Sequence, residues 1–359
     1  MGKTYLKTGI VYHDKFCQYD LGAGHPFRGS RFADSRLLLR EKGLDDSLDA
    51  VFLEPEMATW EDLTKVHTRE YIDLIFRLAE FNQPYDLETP VSTEILEGLM
   101  FIIGGAVRAG TSIYEGTVGR SVNLGGGFHH AGKDYGGGFC IFNDIAILAR
   151  HLRESYGVKR ILVLDYDVHF GNGTSDIFYS DPSTLFISLH QDPRTIFPGT
   201  GFIEQIGNGD GKGYNVNVPL PPRTGEAAYL LALEEIFTPL AENFKPEIIL
   251  ANGGSDAHFA DSLGDLGLTV NGFFQLARTI HETSEEVCNG RVVLLLGSGY
   301  NPRVLPYCWY ALVKGILGSE ILDVQDPYQP PSDSWRNREM IMELLERLKR
   351  VLKEYWDCF

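Results

Sequence analysis

The chain has 359 residues, of which 43% are hydrophobic and 23% are charged, a composition typical of a globular enzyme. Its formal net charge of −17 argues against a nucleic-acid-binding surface and suits solubility or a cationic partner. The five cysteines include no Cys-x-x-Cys pair, so the sequence indicates neither a disulfide framework nor a structural zinc knot. Such cysteine usage fits a reducing compartment.

Targeting signals are not evident at the start of the chain, which lacks the apolar core of a signal peptide. Leu6 stands where a myristoylation motif needs Ser or Thr. No apolar run reaches the roughly 18 residues of a membrane span. We therefore expect a cytoplasmic protein with no membrane contact and no direct nucleic-acid partner.

The first third of the chain is predicted to contain one strand and several helices. Residues 9–13 are a plausible first strand, and helical spacing extends over residues 59–80 and 92–117. The polar, proline-containing segment 81–90 between these helices is predicted to be an exposed loop that could rim a pocket.

From residue 118 onward, apolar strand-like runs alternate with helical stretches. Alternation of this kind indicates right-handed βαβ units, and therefore an α/β fold with a central, mostly parallel sheet and helices on both faces. No composition break marks a second domain, so we predict one domain over residues 1–359, in which the polar stretch 319–333 leads to a final amphipathic helix at 334–356. The alternating segments are 118–124, 143–156, 159–167, 174–180, 184–190, 226–243, 247–251, 271–287, 291–296 and 302–317.

The central stretch, residues 160–173 (RILVLDYDVHFGNG), begins as a strand buried on both faces and ends in polar chemistry. If the extended conformation persists, a side-chain period of two puts Asp165, Asp167 and His169 on one face, just beyond the carboxyl end of the strand. Two carboxylates and an imidazole can hold a divalent metal. Asp-x-Asp can also begin a loop, cap a helix or start a phosphatase of the haloacid-dehalogenase type, and His169 can be a core histidine.

Three other predicted strands deliver polar clusters to the same edge. His129 and His130 follow the first within a glycine-rich loop that lacks a Walker or dinucleotide-binding pattern, and they could serve as a general acid/base pair. Residues 246–254 lead to Asp256, a candidate third metal ligand. Residues 291–296 lead to Tyr300, whose hydroxyl could donate to a developing oxyanion.

Together, six motifs resemble the zinc-dependent histone deacetylase family, which includes bacterial acetoin-utilisation proteins and acetylpolyamine amidohydrolases. The resemblance runs from about His25 to Val304 and is closest to the acetoin-utilisation-like and class II-like branches. It implies the three-layer arginase–deacetylase fold, with the active site at the carboxyl ends of the strands. The motifs are 125–131 (GGGFHHA), 138–144 (GFCIFND), 163–174 (VLDYDVHFGNGT), 197–201 (FPGTG), 252–264 (NGGSDAHFADSLG) and 297–301 (GSGYN).

The resemblance also implies roles for individual residues in catalysis. One zinc ion would be held by Asp167, His169 and Asp256. The tandem histidines would be His129, which tunes the electrostatics, and His130, which transfers protons. The other catalytic residues would be Asp165, which orients the first histidine, Asn172, which stands behind the second, and Tyr300, which polarises the substrate carbonyl.

Substrate and potassium contacts follow from the same resemblance. Phe139 and Phe197 would line an acyl-lysine tunnel beside Gly138, Arg31 would lie at an inner product channel, and Glu88 would grip the substrate backbone at the rim. One or two structural potassium ions are also implied. The first would be bound by Asp165, Asp167, His169, Ser188 and Leu189, and the second by Phe178, Asp181, Thr184 and Tyr214.

The predicted activity is removal of an acetyl or related acyl group from lysine in a peptide or protein, or from an acetylated polyamine. Two alternative enzyme classes are a phosphatase and a ureohydrolase of the same fold, which would bind two metal ions. An alternative from another class is a non-catalytic reader of acyl-lysine or polyamine. The sequence leaves the preferred substrate open, and an oligomer is possible.

Overall fold

The computed structural model describes residues 7–359, and this part of the chain contains eight β-strands. The strands are β1 (Thr8–Val11), β2 (Ala50–Leu53), β3 (Arg120–Asn123), β4 (Ile161–Asp165), β5 (Thr184–Gln191), β6 (Asn215–Leu220), β7 (Ile248–Gly254) and β8 (Val292–Ser298). They form one sheet in the order β2-β1-β3-β8-β7-β4-β5-β6, and every neighbouring pair is parallel. Residues 1–6, on which the predictions about a signal peptide and a myristoylation motif partly rest, lie outside the described residues.

Ten α-helices connect and cover these strands within residues 7–359. Short 3-10 helices occur at Asp14–Gln18, Leu44–Asp46 and Gly209–Gly211. The α-helices are α1 (Ser30–Glu41), α2 (Trp60–Thr64), α3 (Arg69–Glu80), α4 (Thr93–Tyr114), α5 (Asp144–Tyr156), α6 (Asn172–Phe178), α7 (Glu226–Phe244), α8 (Val270–Cys288), α9 (Leu305–Ile316) and α10 (Arg338–Leu352).

The sheet is buried on both faces, as its continuous apolar runs predict. In β4, Ile161 and Val163 point into a core that α5 and α6 cover, whereas Leu162 and Leu164 point into the core shared with α7 to α9. The same alternation occurs along β8. The predicted three-layer α/β architecture is confirmed, and the sheet is wholly parallel rather than mostly parallel.

Two strands were missed by the sequence analysis, and both lie at the edges of the sheet. β2 has four residues and is only partly buried, so its apolar pattern is short and weak. β6 (NVNVPL) alternates asparagine with valine and contains a proline, a composition that lowers strand propensity. Their pairing with β1 and β5 makes them strands, and that pairing is not encoded locally.

The predicted continuous helix at 59–80 is wrong, because the chain breaks between α2 and α3. The Thr59 side chain caps α2 in a reciprocal capping box with Asp62. The Thr68 hydroxyl then accepts a hydrogen bond from the backbone N–H of Tyr71 and starts a second helix. Threonine hydroxyls that bond the backbone compete with continuation of a helix, and here they produce two separate starts.

Helix α4 crosses the centre of the molecule against α5, β1 and β3. Contrary to the sequence expectation, an 18-residue window of α4 is long and apolar enough to cross a membrane, and 72% of that window is buried inside the fold. Burial of this extent is typical of a core helix. Gly104 and Gly105 allow the close packing, since a Cβ at Gly104 would collide with the carbonyl oxygen of Glu56.

The C-terminal segment packs against the sheet layer. Its polar stretch 319–333 contains neither helix nor strand, as predicted, and is anchored where Asp326 Oδ2 lies 2.8 Å from His258 Nε2. Helix α10 is shorter than the predicted 334–356 and packs on α7 and β6. Trp356 beyond its end donates from Nε1 to the carbonyl of Gly213 at 2.8 Å. A single domain over the whole chain stays a prediction.

Candidate active site

The four strands that carry the predicted polar clusters are adjacent in the sheet, in the order β3-β8-β7-β4. Their carboxyl ends lead to His129 and His130, to Tyr300, to Asp256, and to the segment with Asp167 and His169. Because parallel strands end at one edge, clusters that are far apart in the sequence meet there.

Asp167, His169 and Asp256 form a buried cluster whose candidate ligand atoms all lie within 4.8 Å of one another. His169 Nδ1 is 3.0 Å from Asp167 Oδ1 and 3.4 Å from Asp256 Oδ2. The backbone N–H of Val168 donates to Asp256 Oδ1 at 3.2 Å and so ties the loop after β7 to the loop after β4.

One atom of this cluster indicates a missing partner. Among the described residues, Asp256 Oδ2 is buried and makes no well-formed hydrogen bond, and His169 Nδ1 lies 3.4 Å from it. A divalent cation would satisfy that oxygen, and two carboxylates with one imidazole are a donor set that zinc accepts while leaving a position open. The residues present therefore fit a metal ion.

Without a metal, the charges of the cluster compete strongly. Burial and the neighbouring Asp167 carboxylate raise the pKa of Asp256 to about 8. Burial opposes a charged imidazole, yet hydrogen bonds and attraction from the two carboxylates raise the pKa of His169 to about 10. The raised pKa values mean that a cation bound by this cluster competes with protons for its ligand atoms.

Each tandem histidine has its own hydrogen-bond acceptor. His129 Nδ1 is 2.7 Å from Asp165 Oδ2, and His130 Nδ1 is 2.7 Å from Asn172 Oδ1. Burial opposes charge on His129, but attraction from Asp165 and Asp167 raises its pKa to about 9.

His130 has the opposite electrostatic environment. Burial, with repulsion from His129 and His169, holds the pKa of His130 well below its ordinary value. Gly138 packs against this ring so closely that a Cβ would overlap it, and the glycine has a φ of +52°. A neutral His130 that donates from Nδ1 has a lone pair on Nε2, as a proton acceptor requires.

Tyr300 stands across the cluster, with its ring centroid 6.4 Å from that of His169. Its loop is held by Asp261, whose Oδ2 accepts the backbone N–H groups of Tyr300 at 2.7 Å and Asn301 at 3.2 Å. Asp261 is not among the site residues predicted from the sequence. Its only local signal is an acidic residue five positions after Asp256, because the loop it supports lies 39 residues away.

The two predicted tunnel aromatics lie beside different residues of the site. The Phe197 ring is 4.9 Å from the His130 ring and 52% exposed, and the Phe139 ring is 5.8 Å from the Tyr300 ring. Phe139 has a φ of +67°, and Tyr19 Oη donates to its carbonyl at 2.5 Å. Tyr19 is a second supporting residue that the sequence analysis did not identify.

The predicted rim acid, Glu88, is exposed and lies near His25, whose ring packs edge-on against Phe139 at 4.6 Å. Burial lowers the pKa of His25, and the Glu88 charge partly opposes that shift. Glu88 and Phe139 thus share the neighbour His25, and the role of Glu88 at the rim stays a prediction.

Arg31 lies behind Tyr300, beside a cavity of about 210 Å³ that Pro26, Gly299 and Tyr300 also line. Its guanidinium donates to the carbonyls of Gly297 at 2.8 Å and Pro26 at 3.0 Å. Burial lowers the pKa of Arg31 to about 10. The role of Arg31 at an inner product channel stays a prediction.

Two residues of the first predicted potassium set are neighbours through sheet register, since Asp165 on β4 pairs with Ser188 on β5. In the second set, the Asp181 carboxylate forms an ion pair with Arg153 at 2.6 Å. Backbone carbonyl oxygens are therefore the main groups of this set that remain to bind a potassium ion. The carbonyls of Phe178, Asp181 and Tyr214 each accept one backbone N–H and keep a free lone pair. Both potassium sets, with Leu189 and Thr184, stay predictions.

Several known proteins are similar to this chain in sequence or in structure. Residues 25–316 match the sequence profile of the histone deacetylase domain. A protein of Archaeoglobus fulgidus described as a probable deacetylase is 36% identical over 361 residues, which cover 99% of this chain and 100% of that protein. The acetoin utilization protein AcuC of Bacillus subtilis is 33% identical over 86% of this chain and 82% of its own length. The crystal structure of the HDA15 HD domain superposes with a TM-score of 0.85 at 26% identity, covering 98% of this chain and 97% of that one.

Proposed function

This chain belongs to the histone deacetylase family, and from that premise we propose that it is a zinc-dependent amidohydrolase. Its substrate would be an acyl-lysine in a peptide or protein, or an acetylated polyamine, with acetyl as the expected acyl group. One observation carries the proposal: the buried cluster of Asp167, His169 and Asp256 stands between an imidazole positioned as a base and a phenol positioned as a hydrogen-bond donor.

The cluster would hold the zinc ion through one oxygen of each aspartate and a nitrogen of His169. A zinc ion bound there supplies Lewis-acid polarisation of the amide carbonyl and lowers the pKa of water. The buried Asp256 Oδ2, which makes no well-formed hydrogen bond, is the feature that most directly supports a cation at this position.

The side chains around the cluster supply the proton chemistry. His130, with Nδ1 bonded to Asn172, uses Nε2 to accept a proton from the attacking water and later gives a proton to the leaving amine. His129, held by Asp165, stabilises negative charge as a cation or a hydrogen-bond donor. Tyr300 donates to the oxyanion as the carbonyl carbon becomes tetrahedral.

The opening fits an extended, uncharged acylated stem. Phe197 next to His130 and Phe139 next to Tyr300 supply aromatic rings near the site, and methylene groups of a substrate stem would pack against them. Glu88 at the rim suits either a peptide N–H or a polyamine ammonium. The net charge of −17 likewise attracts both substrate classes, so it does not choose between them.

The proposal is tested by acetate release from acetyl-lysine peptides and from acetylated spermidine and putrescine, assayed side by side with zinc-loaded protein. Replacing Asp167 with Ala should abolish both zinc content and activity, because a three-residue site cannot spare a ligand. Elemental analysis and the acetate assay measure the two effects separately. Near-normal activity of this variant would remove Asp167 from the metal site.

The alternatives predict other outcomes of the same experiments. A non-catalytic reader would bind both substrates and turn over neither. A ureohydrolase would contain two metal ions per chain, whereas the described residues offer one cluster of three candidate ligands. One bound ion per chain with acetate release would support the deacetylase.

We also propose that potassium stabilises the loop after β4 and that the protein works in a reducing, cytoplasmic environment. The potassium proposal is supported by Asp165 and Ser188, which are paired in the register of β4 and β5. The proposal of a reducing environment is supported by the five free thiols. If potassium binds, the thermal midpoint should be higher in potassium chloride than in a large organic cation chloride of equal ionic strength. Equal midpoints would count against a structural potassium ion.

A further inference from the structure

Hydrogen bonds continue outward from the His130–Asn172 pair to the protein surface. Asn172 Nδ2 lies 3.4 Å from Tyr135 Oη, and the Tyr135 hydroxyl donates a short hydrogen bond to Asp176 Oδ2. The chain of contacts therefore runs His130, Asn172, Tyr135, Asp176, and it ends at an exposed carboxylate.

Local structure brings these residues together. Asn172 and Asp176 are four positions apart on α6, so their side chains lie on one face of the helix. Tyr135 arrives through a tight turn in which the Gly132 N–H donates to the Tyr135 carbonyl at 2.9 Å. Its ring then crosses directly over Gly132, where any Cβ would collide with it.

The donor and acceptor roles along this chain are set from its outer end. A carboxylate only accepts, so Tyr135 donates its one proton to Asp176. The Tyr135 oxygen is then left to accept from the Asn172 NH₂ group, which turns Asn172 Oδ1 toward His130. An amide oxygen only accepts, so the 2.7 Å bond requires a proton on His130 Nδ1.

We propose that Tyr135 and Asp176 are positioning residues that hold His130 in the tautomer with its proton on Nδ1 and its lone pair on Nε2. The inference rests on the proposed function, because the tautomer affects the rate only if His130 takes the proton. It identifies two residues outside the motifs that indicated the family.

The need for such a device follows from the amide of Asn172. A flipped amide would present NH₂ to His130 and favour the opposite tautomer, with the proton on Nε2. His129 needs no outer anchor, because its acceptor is the carboxylate of Asp165, which cannot donate in its ionised form.

Two variants remove the anchor without touching His130 or Asn172. Asp176→Asn allows the residue at 176 to donate to Tyr135, which frees the tyrosine to donate to Asn172, and Tyr135→Phe removes the bridging hydroxyl. Each should shift the tautomer ratio of His130 about three- to tenfold toward the Nε2–H form, the bias that one partly exposed hydrogen bond supplies. The kcat should fall in proportion to the lost fraction of the Nδ1–H form, with KM within about twofold. Asp134→Asn is the matched control, because it removes an exposed carboxylate next to Tyr135 that lies outside the chain of contacts.

The direct readout is the pair of ring-nitrogen chemical shifts of His130 in the zinc-loaded full chain, labelled at histidine and assigned by signal loss in His130→Gln. The parent protein and Asp134→Asn should show Nδ1 protonated and Nε2 unprotonated. Asp176→Asn and Tyr135→Phe should shift both signals toward a mixture of tautomers, and Asp176→Glu should restore them.

A second background separates positioning from general damage. In Asn172→Asp, the residue at 172 is a carboxylate that accepts from Nδ1 without an anchor, so adding Asp176→Asn should leave the His130 shifts unchanged. The inference is overturned if the parent protein carries its proton on Nε2, if Asp176→Asn matches Asp134→Asn, or if the double variant shifts as the single one does. If the parent protein releases no acetate, the proposed function fails, while the nitrogen shifts still decide the tautomer.

Discussion

At the scale of single residues, this site pairs groups of similar chemistry and gives them different environments. His129 faces a carboxylate and has a raised pKa, whereas His130 faces an amide and has a lowered one. Two adjacent imidazoles can therefore take different roles, one as a stabilising cation or donor and the other as a base.

Tyr300 provides the sharpest test at this scale. Its phenol would donate to the oxyanion only as the tetrahedral intermediate forms, so Tyr300→Phe should lower kcat by roughly 10²–10³ and leave KM within a few-fold. Zinc content should stay the same, because the tyrosine is not one of the cluster ligands. The measurement is steady-state acetate release on an acetyl-lysine peptide.

The competing explanation is that Tyr300 is a packing residue beside Phe139 and Arg31. Phenylalanine would then preserve both the packing and the rate. A Tyr300→Phe enzyme with the parent kcat would remove the assigned role.

At the scale of elements, loop and helix geometry decides how closely the layers approach. Helix α4 packs so near the segment before α2 that Gly104 meets the carbonyl oxygen of Glu56 with no room for a Cβ. A Cβ at Gly110 on the same helix would meet only side-chain ends, closely that of Leu148 and more loosely that of Leu152. An added methyl group would therefore meet rigid backbone at Gly104 and movable side chains at Gly110.

Alanine substitution should distinguish the two glycines. Alanine is a better helix former than glycine by about 1 kcal/mol, so the outcome depends on what the new methyl group meets. Gly104→Ala should lower the free energy of unfolding by about 1–3 kcal/mol, because the backbone of the neighbouring segment must move. Gly110→Ala should change it by less than about 1 kcal/mol, because the Leu148 side chain can rotate away.

Urea unfolding of both variants beside the parent protein measures this difference. Equal stability of Gly104→Ala and Gly110→Ala would show that the segment containing Glu56 yields easily.

At the scale of the whole molecule, the fold buries neutral histidines away from the metal cluster. His67 accepts the backbone N–H of Asn143 at Nε2 at 3.0 Å, and His190 lies between the Ser188 hydroxyl and the Gly201 carbonyl, 2.8 Å from each. Burial lowers the pKa of each to about 4. Both are below the ordinary histidine value of about 6.5.

Stability should therefore fall as the solution is acidified. Because the folded-state pKa is the lower one, the stabilising contribution of each histidine is complete above about pH 6.5 and is lost as pH falls toward 4. For a histidine with these values, the loss between pH 7 and pH 5 is roughly 2 kcal/mol. His67→Gln keeps an acceptor for Asn143 but cannot titrate, so it should lose less stability over that interval.

Urea unfolding of metal-free parent and variant proteins at the two pH values isolates the contribution of His67, since the titrating metal cluster is common to both. An identical loss in the two proteins would contradict the lowered pKa.

The sequence by itself determined the class of fold and the family. Buried parallel strands such as β4 are read from continuous apolar runs, and a period of two already places Asp165, Asp167 and His169 on one face. The motifs also indicated the family, which the comparisons confirm. These signals are local, because each depends on the order of residues within one strand and the loop after it.

Only the tertiary structure decided which strands are neighbours and which distant residues support the site. The edge strands β2 and β6 exist through their pairing with β1 and β5, and their own patterns are too weak to predict it. Asp261 reaches the loop of Tyr300 across 39 residues, and Tyr135 reaches Asp176 across 41. Hydrophobic periodicity records which side of an element is buried, but it does not record which partner buries it, so these contacts appear only once the sheet is assembled.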